Sequence, residues 1–591
     1  MWHQVSLLIF IPLSHMKKLL LPALLALASL AARAQTPCPA AGAVVAIGLG
    51  STVTTGVEIT SNTTWTRNNI YLLDGFVYVN SGVTLTIQPG TIIKGSLPNK
   101  GALIIRQGGV LIADGTPTQP IVFTSNQPAG SRAPGDWGGL IIVGRAPVNL
   151  PAVTNVEGGV VATFGGPSAN LPADNSGIIR YVRIEYPGVA FLPNSEINGL
   201  TLCGVGSGTT IDHVQVTGSG DDSFEWFGGT VNAKYLIALA GTDDDFDTDN
   251  GFSGRVQYGV GLRDPRRGDI ATGGISNGFE SDNDATGTNN APQTSAVFAN
   301  MSIFMPTTPA AASPFANANA AQIRRNSAQS IFNSVFAGRP FGLELNSGAS
   351  GNTQNNAQSG LLAFQNNVLA GYSPRAARAT GGALAGFRIN AFVGANSDTT
   401  RTVAALGLNA DNFAFEGVCS AVNKSCAPAF NLPAASLLNT GAAFTNAKLT
   451  GAGNGGPNST FDVVTYRGAF GATNWATGWV NFNPQITCYN VAGQTLATRE
   501  VANAPLQALS VSPNPTDGAA ATLGFDVTRA TTATVRVVDM MGRSVATVLN
   551  AGKLAAGPQR LLLPATLAPG VYVATVATGD AVQSVRFVVT K

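Results

Sequence analysis

The sequence predicts an all-β protein in which a long β-solenoid is followed by a small β-sandwich. Short runs rich in Val, Ile, Thr and aromatic residues alternate in polarity and end at Gly, Asn or Pro-Gly. Segments 32 or 33 residues apart resemble one another, as stacked structural repeats do. The 591 residues are too many for one globular core, which stops growing at roughly 250–300 residues. Long amphipathic helical patterns are almost absent.

The N-terminus has the pattern of a signal peptide over residues 1–34. A basic pair, an apolar segment of 12 residues and an A-x-A cleavage motif lie at residues 17–18, 19–30 and 32–34. The apolar segment is shorter than the about 20 residues that span a membrane, so we expect no transmembrane segment in the mature protein. Residues 1–15 precede a second Met and are a candidate upstream mis-start.

Cleavage after Ala34 changes the charge only slightly. It removes three basic residues and no acid, so the 34 basic and 32 acidic residues become 31 and 32. A nucleic-acid partner would need a basic face, and this balance does not favour one.

The first rungs of the solenoid are predicted between residues 44 and 146. Each run alternates apolar and polar residues, and its apolar face can be buried only if the runs stack as rungs around one core. The runs are residues 69–79, 82–95, 101–115, 119–126 and 135–149.

Two sets of internal repeats extend the solenoid further along the chain. IRYVRI at 179–184 aligns with IDHVQV at 211–216 and with AKYLIA at 233–238, and NSVFAG at 333–338 aligns with NNVLAG at 366–371. The alignment places His213 where Tyr181 and Tyr235 fall, which predicts a structural rather than a catalytic histidine. We expect rungs with loop insertions from residue 300 to 490, within a solenoid domain of residues 35–495.

Three segments carry a family resemblance. TLTIQPGTIIKG, LIADGTPTQPIVFTS and GDWGGLIIVG resemble a family of exported bacterial right-handed parallel β-helix proteins, over roughly residues 50–300. The resemblance implies a right-handed parallel β-helix. Several families of this fold act on polysaccharides or bind to surfaces, but the fold alone implies neither activity.

A different module is predicted after a linker at residues 496–507. Residues 508–591 contain about seven short alternating strands, as a small Ig-like β-sandwich does. The S-x-x-P-N-P opening, the D-M-M-G-R turn, the P-G-V-Y strand and Lys591 resemble the C-terminal sorting domain of the type IX secretion system of Bacteroidetes. That resemblance implies export through the periplasm to the cell surface or medium, with the secretion machinery as a partner.

The five cysteines leave the disulfide pairing open. Export permits disulfides, and Cys419 with Cys426 would close a small loop. Cys203 lies in the apolar run GLTLCGV and is predicted to be a buried thiol. An odd count leaves at least one thiol unpaired.

The strongest charge pattern lies at residues 219–251, with seven Asp and one Glu against a single Lys. Asp at alternate positions in its second half suggests calcium as a cofactor, because hard cations prefer several oxygen ligands. The chain would have to curl, since alternate strand residues lie about 6.5–7 Å apart. The alternative is a solvated acidic loop. The candidate calcium ligands are Asp243, Asp245, Asp247 and Asp249.

A third acidic segment, residues 278–290, has Glu280, Asp282 and Asp284 at alternate positions. If successive rungs stack their loops on one edge, these carboxylates join the first set in an acidic ridge. Divalent cations would then relieve the like-charge repulsion.

The first half of the acidic stretch also permits carboxylate catalysis. The candidate catalytic residues are Asp221, Asp222 and Glu225, because glycoside hydrolysis uses a pair of carboxylates. The G-D-D at 220–222 resembles that of β-helical polygalacturonases, but the G-H-G segment of that family is absent. Trp226 is a candidate for stacking on a sugar ring, although Phe224, Trp226 and Gly228 alternate as in a strand with a buried face.

Two functions follow as expectations. The first is a secreted or cell-surface β-helix protein without enzymatic activity, which serves adhesion, glycan binding or envelope structure. The second is a polysaccharide-degrading hydrolase or lyase that uses the acidic residues. The lack of a usable histidine and of a complete catalytic motif favours the first.

Overall fold

The structure, a computed structural model, describes two β-rich parts of the chain. The described residues are 38–40, 42–49, 56–167, 169–192, 195–269, 275–306, 315, 317–338, 340–348, 352–372, 375–382, 384–409, 429–496, 506–516, 521–527, 530–539, 543–578 and 582–590. The predicted signal peptide, Cys419, Cys426 and Lys591 lie outside them.

The first part is a parallel β-helix, which confirms the predicted fold class. Nearly every strand pairs in parallel with its counterpart in the next coil. Its strands are β1 (Val44–Ile47), β2 (Val57–Ile59), β3 (Thr63–Trp65), β4 (Ile70–Leu73), β5 (Phe76–Val79), β6 (Thr84–Ile87), β7 (Ile92–Gly95), β8 (Ala102–Ile105), β9 (Val110–Asp114), β10 (Ile121–Ser125), β11 (Leu140–Val143), β12 (Val153–Asn155), β13 (Thr163–Gly165), β14 (Gly177–Glu185), β15 (Ala190–Leu192), β16 (Ser195–Glu196), β17 (Leu200–Val205), β18 (Thr210–Thr217), β19 (Phe224–Gly229), β20 (Asn232–Leu239), β21 (Phe246–Asp249), β22 (Arg255–Leu262), β23 (Phe279–Ser281), β24 (Val297–Phe304), β25 (Asn319–Arg324), β26 (Ser330–Phe332), β27 (Val335–Ala337), β28 (Phe341–Asn346), β29 (Phe364–Gln365), β30 (Val368–Ala370) and β31 (Arg375–Thr380).

Two long sheets run the length of the β-helix. Sheet A follows the order β1-β4-β7-β10-β14-β18-β20-β22-β24-β26-β29, and sheet B follows β2-β5-β8-β11-β17-β19-β21-β23-β25-β28-β31. Two antiparallel hairpins, β12–β13 and β15–β16, leave the coil. Inward side chains of both sheets form one buried apolar core.

Sheet A is bent into two faces by residues in the left-handed backbone region. The first half of β14 pairs with β9 and its second half with β10, and Tyr181 between them has φ 49°. His213 and Tyr235 occupy the same position in the next two coils, with φ 53° and 61°. Their rings stack, with centroids 4.4 and 4.3 Å apart. This confirms the repeat alignment, and the stacking supports the structural interpretation of His213.

The repeat at 333–338 and 366–371 is also in register, because Val335 pairs with Val368. The prediction of rungs up to residue 490 is wrong, however. Among the described residues, the last solenoid strand ends at Thr380, and a bridge from Val368 to Asp398 marks a last partial coil. Helix α1 (Asn352–Gln358) lies between β28 and β29. The described residues after β31 form short helices and irregular chain, with α2 (Ile389–Gly394), α3 (Ala447–Thr450) and 3-10 turns at Ala404–Leu406, Leu437–Asn439 and Pro484–Ile486.

Residues 429–496, which we call the strap, run back along the outside of sheet A. Side chains of sheet A hold its backbone: Gln215 donates to the Asn481 carbonyl at 2.7 Å and accepts from its N–H at 2.9 Å. Gln257 makes the same pair of bonds with Asp462. Near the first coils, a disulfide joins Cys38 to Cys488. The strap therefore covers sheet A and leaves sheet B as the face on which the acidic residues lie.

The C-terminal part has two antiparallel sheets with their own apolar core. Its strands are β32 (Leu506–Ser512), β33 (Thr522–Val527), β34 (Thr531–Asp539), β35 (Ser544–Leu554), β36 (Gly557–Leu562), β37 (Gly570–Thr578) and β38 (Val582–Val589). Cys203 is buried with a free thiol, as expected. Across the described residues, no helix is long and apolar enough to cross a membrane.

Candidate functional site

The acidic residues gather on the outer face of sheet B because of strand alternation. In β19, Phe224 and Trp226 point into the core, so Glu225 between them points outward. The parallel register places Glu225 beside Asp247 of β21, and Asp247 beside Glu280 of β23. Three consecutive coils thus stack their carboxylates in one row, as predicted for the acidic ridge.

The turns that lead into these strands bring four more carboxylates to the same place. Asp222 Oδ1 accepts the Asp244 N–H at 2.7 Å, which fixes one turn against the next. Three groups of three carboxylates each have ligand oxygens within 4.8 Å of one another. The groups are Asp221–Asp222–Asp243, Asp222–Glu225–Asp247 and Asp244–Asp247–Glu280, and we call their seven residues the acid cluster.

Burial and mutual repulsion dominate the electrostatics of the acid cluster. Burial, reinforced by neighbouring carboxylates, holds the pKa values of Asp222 and Glu225 well above their ordinary values. Asp247 and Glu280 show the same direction for the same causes. Burial also raises the pKa of Asp244, but Arg263 opposes the shift and limits it to about 6. The charged cluster therefore needs protons or a cation to offset its repulsion.

The raised carboxyl pKa values determine how the stability of the fold changes with pH. A raised carboxyl pKa means that the folded protein holds more protons than the unfolded chain between the ordinary pKa, about 4, and the folded value. The contribution of these groups to stability is then present at low pH and is lost as the pH rises through that window. A bound cation would remove the effect, because it replaces the protons.

The structure divides the predicted calcium ligands among different surroundings. Asp243 and Asp247 belong to the acid cluster. Asp245 is fully buried in an ion pair with Arg263, with Oδ2 3.2 Å from Nε. Asp249 lies outside the three groups and lines a neighbouring cavity. The four residues therefore do not form one site, because the turn at residues 241–245 sends Asp245 into the interior.

The ligand-binding hypothesis for Trp226 is wrong. Its side chain has no exposed surface, and its ring stacks 5.3 Å from Phe252 and 6.1 Å from Phe224 inside the core. A sugar cannot reach it. The strand alternation, which places Glu225 outside, places Trp226 inside.

Three contributors to the site come from parts of the chain that sequence patterns did not single out. Asn198 Nδ2 donates to Glu157 Oε1 at 2.7 Å and also to Glu225. Its Oδ1 and the hydroxyl of Thr201, which pairs with Glu225 in register, are buried without a hydrogen-bond partner among the described residues. Burial raises the pKa of Glu157 to about 7. A lone Asn or Glu carries no motif, so no sequence signal marked them.

The bases most often used in catalysis lie elsewhere in the described chain. His213 contacts Trp479 of the strap edge to face on sheet A, and Lys94 and Lys234 also contact the strap. The basic groups beside the acid cluster are Arg263 and Arg324, and both are paired with carboxylates. The site therefore resembles a set of oxygen ligands more than an acid–base pair.

The chain was compared with curated proteins and with solved structures. A search of curated proteins finds no match. Among solved structures, the chain is similar to pectate lyase Pel9A, at 14% identity over 72% of this chain and 100% of that one, with a TM-score of 0.34. It is also similar to tailspike protein 2 of Escherichia coli O157:H7 bacteriophage CAB120, at 12% identity over 89% and 65% of the two chains, with a TM-score of 0.22.

A family model supplies the assignment. The model described as a pectate-lyase-like β-helix domain matches residues 57–381, which is more than half of the chain. The matched region covers sheets A and B from β2 to β31 and contains every residue of the acid cluster. This protein belongs to the family of pectate-lyase-like β-helix domains.

Proposed function

We propose that this protein is an exported glycan-binding protein whose acid cluster holds a divalent cation, with calcium as the ion. The observation that carries the proposal is the convergence of seven carboxylates from three coils, three of them buried and four partly buried, with ligand oxygens within 4.8 Å in each group. Arg324 pairs with Glu280, but the close approach of the other carboxylates stays unfavourable without protons or a cation, because burial strengthens the repulsion between like charges.

The donor set suits calcium. Calcium takes six to eight oxygens at about 2.3–2.6 Å and accepts carboxylate, amide and hydroxyl oxygens together. The acid cluster supplies the carboxylates, and the unpartnered oxygens of Asn198 and Thr201 lie on the same outer face of sheet B. Asp222 and Asp247 each belong to two groups, so one or two ions would bridge neighbouring coils.

A glycan is the ligand class that the family favours. The family's name points to polysaccharides, because pectate is one. Binding is favoured over cleavage because the arginines beside the cluster are paired. Cleavage by Asp222 and Glu225 is the second candidate, since both carboxyl pKa values are raised as a general acid requires.

The test uses the chain without residues 1–34 and a panel of neutral, acidic and amine-bearing polysaccharides, with calcium or with a chelator. We expect retention on at least one polysaccharide with calcium, and loss of retention by about 10-fold or more in Asp222→Asn, because a cation ligand is removed. Asp114→Asn, which removes an outward carboxylate at the end of β9, is the matched control.

If the parent protein cleaves a polysaccharide and Asp222→Asn abolishes the cleavage, the function is catalysis rather than binding. The melting temperature, measured in the same samples, reports the cation directly. With a chelator it should fall as the pH rises from about 5 to about 8, and calcium should reverse the fall. A melting temperature that calcium leaves unchanged would contradict the cation proposal.

The proposed localisation is the cell surface or medium, reached through the periplasm. It is supported by the signal-peptide pattern at residues 1–34 and by the motifs at residues 508–591 that resemble a type IX sorting domain. We expect a chain that ends at residue 507 to remain in the cell, while the full chain reaches the surface or medium. If cell fractionation finds both chains at the surface in equal amounts, the proposed role of residues 508–591 in localisation is contradicted.

A further inference from the structure

A cavity of about 430 Å³ lies next to the acid cluster on the same outer face of sheet B. It is bounded by the β12–β13 hairpin, the outward residues of β19 and β21, and the loop after Asp284. Its size lies within the roughly 300–1,000 Å³ of small-ligand sites. The residues that carry the argument are Leu150, Glu157, Phe164, Phe227, Asp249 and Asp284.

One side of the cavity is apolar and aromatic. The rings of Phe164 and Phe227 lie 6.1 Å apart at 51°, and Leu150 lies beside them. Phe164, which belongs to β13 of the hairpin, is buried, whereas Phe227 of β19 is half-buried. Such a surface suits the C–H face of a sugar ring, and the negative face of an aromatic ring attracts a cation.

The other side carries three carboxylates. Asp284 accepts hydrogen bonds from the N–H groups of Thr286 and Thr288, which hold its pKa below its ordinary value despite partial burial. Asp249 accepts the Asn250 N–H at 2.6 Å. A cation in the cavity would offset the negative charge of these carboxylates.

The charge balance of the cavity excludes an acidic sugar without a bridging ion. No Lys, Arg or His is among its described lining residues. Arg325 is itself paired with Asp282 at 2.6 Å. Asp249 and Asp284 are not in the three carboxylate groups of the acid cluster, whereas Glu157 shares the Asn198 amide with Glu225 of the cluster, so the two sites adjoin.

We propose that this cavity binds an amine-bearing sugar residue of a glycan, with the ammonium group beside Asp249 and Asp284 and the ring against Phe227. Carboxylates satisfy an ammonium group by charge-assisted hydrogen bonds, and the aromatic rings add a cation–π contact. The inference rests on the proposed glycan binding and names its sugar class.

The test is calorimetric titration of the chain without residues 1–34 in the presence of a chelator. The probes are a glucosamine oligomer, the same oligomer fully N-acetylated, and an oligogalacturonate of equal length. We expect the glucosamine oligomer to bind about 10-fold more tightly than the acetylated one, because acetylation removes the charge. The oligogalacturonate should not bind under these conditions.

Variants separate the cavity from the acid cluster. Asp249→Asn should weaken glucosamine-oligomer binding by about 10-fold, because it removes one charged hydrogen bond, and Phe227→Leu should weaken it without changing the preference for the free amine. Asp114→Asn should leave it unchanged. An unchanged melting temperature confirms that each variant is folded.

Equal affinity for the free and acetylated oligomers, no binding of either, or unchanged binding by folded Asp249→Asn would each overturn the inference. Retention of an acidic polysaccharide that requires calcium, with no binding of the glucosamine oligomer, would overturn the cavity assignment alone and leave the cation-dependent function in place.

Discussion

Replacing Trp226 by alanine is expected to lower the free energy of unfolding by about 3–5 kcal/mol, the loss typical of removing a large aromatic side chain from a core. The ring has no exposed surface, and it contacts Phe224, Phe252 and, edge to face, Phe298. The surrounding rungs are held by parallel ladders on both sides and cannot close the cavity fully.

Chemical denaturation followed by near-ultraviolet circular dichroism measures the effect. Trp226→Phe is the matched control and should lose much less, since it keeps the stacking on Phe252. Trp475→Phe, at a partly buried ring within the strap, tests whether any Trp change has the same cost. If Trp226→Ala keeps the stability of the parent chain and loses only glycan retention, the ring is a ligand contact after all and its placement in the core is wrong.

The rungs of the β-helix could be predicted because their signal is local and repeated. Residues 179–184 and 211–216 align in sequence, and in the structure Ile179 pairs with Ile211 and Val182 with Val214. Stacked coils bury the same positions in each turn, so one alignment predicts register, core and the place of His213 together.

The strap could not be predicted in the same way. Its contacts join residues far apart in sequence, such as Arg183 with the Trp479 carbonyl, and its chain has no strand period. Apolar residues in it, including Trp479 and Phe470, pack on the outside of sheet A rather than in a rung. Composition alone therefore suggested further coils where the structure has a covering segment.

In the acidic stretch, strand alternation predicts the orientation of some side chains and fails for others within a single turn. Alternation correctly places Glu225, Asp247 and Glu280 on one face, because β19, β21 and β23 are regular strands. Asp243 to Asp245 lie before β21, where the backbone turns and alternation no longer applies. Asp245 consequently points inward. Residue 261 must be glycine to leave room for this side chain, because a Cβ at Gly261 would lie 2.2 Å from Asp245 Oδ2.

Breaking the Asp245–Arg263 pair should have an effect as large as the loss of Trp226. Arg263→Met is expected to destabilise the β-helix by about 3–5 kcal/mol, because it leaves a fully buried carboxylate without its counter-charge. The guanidinium also donates to the carbonyls of Asp243 and Asn277, so its loss frees the turns that carry the acid cluster.

Denaturation midpoints and calcium titrations of the same variants separate structure from ligand binding. Arg266→Met is the matched control: its side chain is largely exposed, and loss of its pair with Asp264 should cost no more than about 1 kcal/mol. The double variant Arg263→Met, Asp245→Leu should regain part of the stability, since it removes the orphaned charge. If Arg263→Met costs no more than Arg266→Met, the pair is not buried as described, and Asp245 is again free to be the calcium ligand that its alternate spacing suggested.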